Sequence, residues 1–161
     1  MTAIVLFRPE IPGNTGSIGR TCVALNIPLI LIGPYGFEIS EKSVRRAGLD
    51  YWKFLNLKEY QNWHDFIQGE KIESPDNLFF FENQASPSYF DAPFSKDSYL
   101  IFGGETKGLS SELWKEYSSQ FYQVPMNSIH IRSLNLSNVA TAVVYECLRK
   151  NQFVFSSSVS S

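Results

Sequence analysis

The 161-residue sequence predicts an α/β domain with a mostly parallel sheet flanked by helices. Three observations lead there. The runs Ala3–Phe7, Leu29–Ile32, Leu78–Phe81 and Tyr99–Phe102 are apolar without polar alternation, as strands buried on both faces are. Segments of helical periodicity lie between such runs. The first two runs also enclose a loop and a helix within about 30 residues, the spacing of a parallel crossover.

Each element has its own justification. Ala3–Phe7 is a strand of β-formers, and Pro9, Pro12 and Gly13 make the loop that follows. Asn14 or Thr15 is expected to cap a helix whose inner face is Ile18, Cys22 and Leu25. Asn26 suits the left-handed position past that helix, and Pro28 stops it. Leu29–Ile32 is the second strand, closed by Gly33 and Pro34. Ser40 is expected to cap a short helix through Arg46, and Lys53–Leu57 to form a strand. Asn62 is expected to cap a helix carrying Trp63, Phe66 and Ile67. A loop from Ala85 to Asp97 separates the strands Leu78–Phe81 and Tyr99–Phe102. Ser110 or Ser111 opens a helix with Leu113, Trp114 and Tyr117, and Phe121–Val124 is a further strand. The last helix is the clearest. Leu136, Val139, Ala140, Val143, Val144, Cys147 and Leu148 form one wide stripe, fit to cover a sheet or meet a second subunit. Asn135 suits its N-cap, and Arg149 and Lys150 suit its negative end.

Composition sets the outer bounds. With 43% hydrophobic and 19% charged residues and a net charge of −2, the chain fits one globular domain and not a disordered one. Residues 1–155 are expected to form that domain and residues 156–161 a frayed serine-rich tail. No apolar run approaches the ~20 residues that span a bilayer. Met1 leads into a strand without a basic segment, so no signal peptide and no membrane association are expected. Cys22 and Cys147 sit in apolar helical patterns and suit reduced, buried thiols in a cytoplasmic protein. Charge is uneven: +2 over residues 1–60, −6 over 61–120 and +2 over 121–161. A surface built from both ends of the chain could take a polyanion, and ordinary charge scatter accounts for the count equally well.

Three loops that follow strands hold the candidate chemistry, because open parallel sheets bind ligands beyond the carboxyl ends of their strands. The first, Pro9 to Arg20, combines small residues, a helix start and an arginine, which suits an anion and equally a capped turn with a solvent-facing Arg20. The second, Ile101 to Ser110, spaces Gly103 and Gly108 as a phosphate loop does, but Leu109 stands where the lysine belongs, which argues against an NTPase. Its glycines still imply close approach of backbone to a ligand or to another chain segment. The third runs from Val124 through His130 and Arg132 to Asn138, a cradle at a helix start. His130 and His64 suit surface positions, and no group has metal-ligand spacing, so no metal is expected.

Taken in order, these segments resemble the SPOUT class of RNA methyltransferases, most closely its TrmL (YibK-like) branch of tRNA wobble-nucleotide 2′-O-methyltransferases. The carrying residues are Pro9-Glu10-Ile11-Pro12 with Asn14-Thr15-Gly16 and Arg20, then Arg45-Arg46-Ala47-Gly48-Leu49-Asp50-Tyr51. Phe102-Gly103 with Glu105-Thr106 and Gly108-Leu109, Val124-Pro125-Met126, and Arg132 to Asn138 running on to Tyr145-Glu146 complete the set. The resemblance covers roughly residues 3–150.

It implies a C-terminal trefoil knot, unusual because chains rarely thread loops. It also implies a homodimer, with each RNA site built across the interface. S-adenosylmethionine is the implied cofactor, S-adenosylhomocysteine its product, and Phe81, Gly103, Val124 and Ser133 the cofactor contacts. Arg20 is implied near the ribose 2′-hydroxyl. Arginine is almost always protonated, so an electrostatic role suits it better than that of base. Asn14, Glu105, Ser133, Asn135 and Tyr145 are implied to orient the ribose or hold the loops, and the base stays unassigned. Arg8, Arg45 and Arg46, with Lys42 and Lys53, are expected to meet phosphates of the tRNA anticodon stem-loop. Two departures stand out: Gly13 where relatives commonly carry proline, and Glu82 in place of a small polar residue, which bears on RNA preference. The activity expected is 2′-O-methylation of the wobble nucleotide. Methylation of another tRNA or rRNA site, an idle RNA-binding protein of the same fold, and a flavodoxin-type nucleotide-binding domain are the alternatives.

Overall fold

Strand β1 (Ala3–Phe7) is completely buried because parallel neighbours flank it and helices cover both its faces. In this computed structural model, residues 1–38 and 50–152 are described. The chain continues through α1 (Pro12–Leu25), β2 (Leu29–Ile32), β3 (Leu57–Tyr60), α2 (Trp63–Gly69) and β4 (Leu78–Phe81). Then follow β5 (Tyr99–Gly103), α3 (Ser111–Glu116), β6 (Phe121–Tyr122) and α4 (Leu136–Lys150). The strands form one sheet in the order β3-β2-β1-β5-β4-β6, and every described pairing is parallel. Val5 registers with Ile30 on one side and Ile101 on the other.

The period-two geometry of a strand splits the apolar runs between two cores. Ile4 and Leu6 face Ile18, Cys22 and Leu25 of α1 and Ala140, Val143, Val144 and Cys147 of α4. Ala3, Val5 and Phe7 face the other core, with Phe66 of α2 and Leu113 of α3. That second core is aromatic: Phe80 stacks on Phe121 at 4.8 Å, and Trp114 on Phe121 at 3.9 Å. Thus the wide stripe of α4 covers the sheet, with Ala140, Val143, Val144, Cys147 and Leu148 buried. Both cysteines are buried and free, and desolvation pushes the Cys22 thiol up to about 12.

Several boundaries differ from expectation. Helix α1 starts at Pro12, with Ile11 as an N-cap that makes no side-chain bond. Proline suits the first helical position, where its missing N–H costs nothing. Asn14 is therefore inside the first turn and free to bond elsewhere. Asn26 does take the left-handed position, at φ 53°. The expected strand at Lys53–Leu57 is displaced: residues Asp50–Phe54 form a 3₁₀ turn, and β3 begins at Leu57. Trp52 and Leu55 turn inward against α1, where a Cβ on Gly19 would lie 2.7 Å from Trp52. Strand β6 stops at Tyr122 rather than Val124, because Gln123 pairs with the preceding loop. Its N–H donates to Pro87 and its carbonyl accepts from Tyr89. Asn62, Ser110 and Asn135 cap their helices as expected. The predicted helix from Ser40 to Arg46 and the tail 156–161 lie outside the described residues.

Candidate active site

All strands run the same way, so the loops after β1, β4, β5 and β6 gather at one edge of the sheet. They enclose a cavity of about 670 Å³. Its apolar lining includes Phe81, Phe102, Leu109, Val124 and Leu136, and its polar lining includes Asn14, Glu82, Glu105, Ser133 and Asn135.

The loop after β5 folds tightly on itself. The Gly108 N–H donates to the Gly104 carbonyl at 2.9 Å, and Gly108 sits at φ +64°. A Cβ on Gly103 would lie 2.2 Å from the Gly108 carbonyl carbon. Gly103 is thus explained by contact with its own loop, whereas a Cβ on Gly104 would lie 2.6 Å from the Arg8 carbonyl oxygen and one on Gly108 would meet Glu82.

Two glutamates then lock this loop to the one after β1 by exchanging places. Glu105 accepts the Glu10 N–H at 2.7 Å, the Ile11 N–H at 3.1 Å and the Asn14 side-chain amide at 3.1 Å. Glu10 in return accepts the Thr106 N–H at 2.9 Å and the Lys107 N–H at 3.3 Å. Hydrogen bonding to Thr106 holds the Glu10 carboxyl below the ordinary carboxylate range. Asn14 extends the lock to the third loop, accepting from the Asn135 amide at 3.0 Å. The Asn135 oxygen meanwhile caps α4 through the Ser137 and Asn138 N–H groups. A further tie runs from the Asn83 side chain to the Arg132 carbonyl at 3.0 Å.

Of the residues singled out from the sequence, Asn14, Glu105, Ser133 and Asn135 line the cavity, as do Phe81, Gly103 and Val124. Arg20, Tyr145 and Arg8 do not. Arg20 is exposed on α1, its guanidinium 5.1 Å from the centre of the Tyr51 ring. The Tyr51 hydroxyl donates to the Gly16 carbonyl at 2.8 Å. Tyr145 is 49% exposed on α4. Arg8 is exposed over the Phe7 ring. His64 and His130 are exposed. Arg45 and Arg46 lie outside the described residues. Glu10 was visible in the sequence only as part of a motif. Its signal was an acid beside a helix start, matched by Glu105 beside the glycine loop.

A family model for the SpoU rRNA Methylase family matches residues 1–145. The chain belongs to the SpoU methylase family. Its relatives and structural neighbours are RNA-modifying enzymes, and this family member is an enzyme too. A relative from Lactococcus lactis subsp. cremoris is 44% identical over 156 residues, covering 95% of this chain and 91% of its own. A Yersinia pestis relative, named tRNA (cytidine(34)-2′-O)-methyltransferase, is 40% identical, covering 93% of this chain and 94% of its own. A solved structure described as giving insight into the 2-OH methylation of C/U34 on tRNA superposes with a TM-score of 0.82. Its identity is 36%, with 93% of this chain and 95% of that one covered. The SpoU methyltransferase AviRb from Streptomyces viridochromogenes, solved with AdoMet, superposes with a TM-score of 0.74 at 29% identity, covering 92% of this chain and 59% of that one.

Proposed function

We propose that the chain transfers a methyl group from S-adenosylmethionine to the ribose 2′-hydroxyl of the wobble nucleotide of tRNA, cytidine or a modified uridine at position 34. The observation that carries this reading is the agreement of two things. Relatives covering nearly the whole chain bear that name, and Asn14, Phe81, Gly103, Glu105, Val124, Ser133 and Asn135 of the motifs line one cavity. About 670 Å³ suits a nucleoside joined to an amino acid, within the roughly 300–1,000 Å³ of small-molecule sites.

Phe81, Gly103, Val124 and Ser133 would hold the cofactor, partly through backbone groups beside apolar walls. S-adenosylmethionine supplies a methyl on a sulfonium, which needs no metal to leave. Glu105, Asn14 and Asn135 fix the three loops relative to one another and so preorganise the cavity. Arg20 stabilises the alkoxide that develops on the ribose oxygen or orients the adjoining phosphate. Ser133 and Tyr145 contact the nucleotide, and Arg8, Arg45 and Arg46 meet the anticodon stem-loop phosphates.

The exposed position of Arg20 outside its own cavity supports a homodimer. In this reading Arg20 serves the site of the partner subunit, so each reaction centre joins one chain's cavity to the other's arginine. The C-terminal part is read as a trefoil knot in one domain spanning residues 1–155. Lys150 and Asn151 donate to carbonyls at Phe90, Ala92 and Ser95, so the β4–β5 connection touches the end of α4, a contact that such threading requires. Among the described residues no helix is long and apolar enough to cross a membrane. A tRNA substrate supports a cytoplasmic location.

The test is methyl transfer from labelled S-adenosylmethionine to a bulk tRNA pool, with the product nucleoside located by mass spectrometry. A 2′-O-methyl mark at position 34 is the expected result. A mark elsewhere keeps the chemistry and refutes the wobble assignment.

A further inference from the structure

The cavity contains one acidic side chain that its surroundings leave electrically unbalanced. Glu82 directly follows β4 and lines the cavity beside Phe81. Its Oε1 accepts the Leu109 N–H at 2.6 Å, and the Asn83 backbone N–H also faces the carboxylate. A Cβ on Gly108 would come within 2.5 Å of Oε1, so the glycine loop is shaped around this side chain. Among the described residues no lysine or arginine forms an ion pair with Glu82. Among the described residues Glu105 has no ion pair either, but three N–H donors engage both of its oxygens, one more than face Glu82. Lys107 and Arg132 also line the cavity but are exposed, so solvent screens their charges.

We propose that Glu82 is the residue by which the cavity prefers the reactant S-adenosylmethionine to the product S-adenosylhomocysteine. This inference rests on the adenosylmethionine-dependent reading above. The two ligands differ by one methyl group and one positive charge. A sulfonium has no proton to donate, so a site distinguishes it through its electric field rather than through a hydrogen bond. A half-buried carboxylate supplies that field at lower effective dielectric than a fully exposed group does. Methyl transfer then removes the matching charge and loosens the product. Burial raises the Glu82 carboxyl above its ordinary value, which marks the ionised form as a cost in the free protein. A cationic ligand offsets that cost.

The test is calorimetric titration of the full chain with S-adenosylmethionine and, separately, with S-adenosylhomocysteine. Glu82→Gln keeps the size and an oxygen for the Leu109 N–H but removes the charge. Its expected effect is an about ten-fold weaker affinity for S-adenosylmethionine, with S-adenosylhomocysteine changed by no more than about two-fold. Its melting temperature should stay close to that of the wild type, because the charge removed is half-buried and has no ion pair among the described residues. Glu82→Asp, which keeps the charge, should keep the preference. Equal losses for both ligands, an unchanged ratio, or a Glu82→Gln chain that fails to fold would each assign Glu82 a purely structural role and overturn the proposal. Wild-type protein that binds neither ligand would instead overturn the adenosylmethionine reading itself.

Discussion

The cavity and the outer flank of α1 differ in how completely one chain builds them. Around the cavity, Glu10, Glu105, Asn14 and Asn135 form a continuous hydrogen-bond chain linking three loops. On the flank, Arg20 is exposed and, among the described residues, lies over the face of Tyr51. A preorganised cavity is what cofactor binding needs, because donors already in place cost nothing at the moment of reaction. In the proposed reading, Arg20 waits for RNA and a second subunit. On that reading, the difference gives cofactor binding to one chain and acceptor activation to an assembly.

The sharpest way to separate the two regions is Arg20→Ala. It should lower methyl transfer by at least about 100-fold, as loss of one transition-state stabiliser does, while S-adenosylhomocysteine affinity and melting temperature stay the same. Single-turnover rates and calorimetry on one preparation check this.

Breaking the cavity lock should act the other way. Glu105→Ala strands the Glu10 and Ile11 N–H groups and the Asn14 amide, with an expected cost of about 2 kcal/mol in urea unfolding. Cofactor affinity and transfer should then fall together. Asn135→Ala removes the α4 cap and the bond to Asn14, for about 1 kcal/mol by the same measurement.

The smallest effect is the pH dependence of Glu10. Its folded-state pKa is depressed, so its contribution to stability is full above the ordinary carboxylate value. It is lost as pH falls through the lowered folded value. Glu10→Gln should lower stability slightly above the ordinary carboxylate range and leave it unchanged at strongly acid pH, so that the acid limb of a stability-against-pH curve becomes flatter.

Much of this architecture can be read from residue patterns, and the exceptions have physical causes. Ala3–Phe7 and Leu78–Phe81 are legible because strands covered on both faces admit little but apolar residues. The stripe of α4 is legible because one face of a long helix must stay dry. Strand β3 is not, since an edge strand reading Leu-Lys-Glu-Tyr carries little burial signal, while the more apolar Trp52 and Leu55 pack as a turn. The start of α1 is misplaced because Asn14 has the composition of a cap but is recruited by Glu105 and Asn135 across the loops. Long-range partners of this kind leave no local trace. For the same reason the cavity contacts of Asn14, Gly103 and Ser133 follow from motif order, whereas the Glu10 exchange and the Glu82 wall emerge only once the loops are assembled.

The central claim is that a reaction centre joins the cavity of one chain to Arg20 of its partner, and mixed dimers test it most directly. One chain carries Arg20→Ala. The other carries Gly103→Ala, whose added methyl collides with the Gly108 carbonyl carbon and spoils the cavity loop. Each variant alone should be inactive. If Arg20 acts across the interface, the mixed dimer contains one intact centre, and methyl transfer to tRNA returns. A mixed dimer as inactive as its parents would place Arg20 in the site of its own chain and contradict the account.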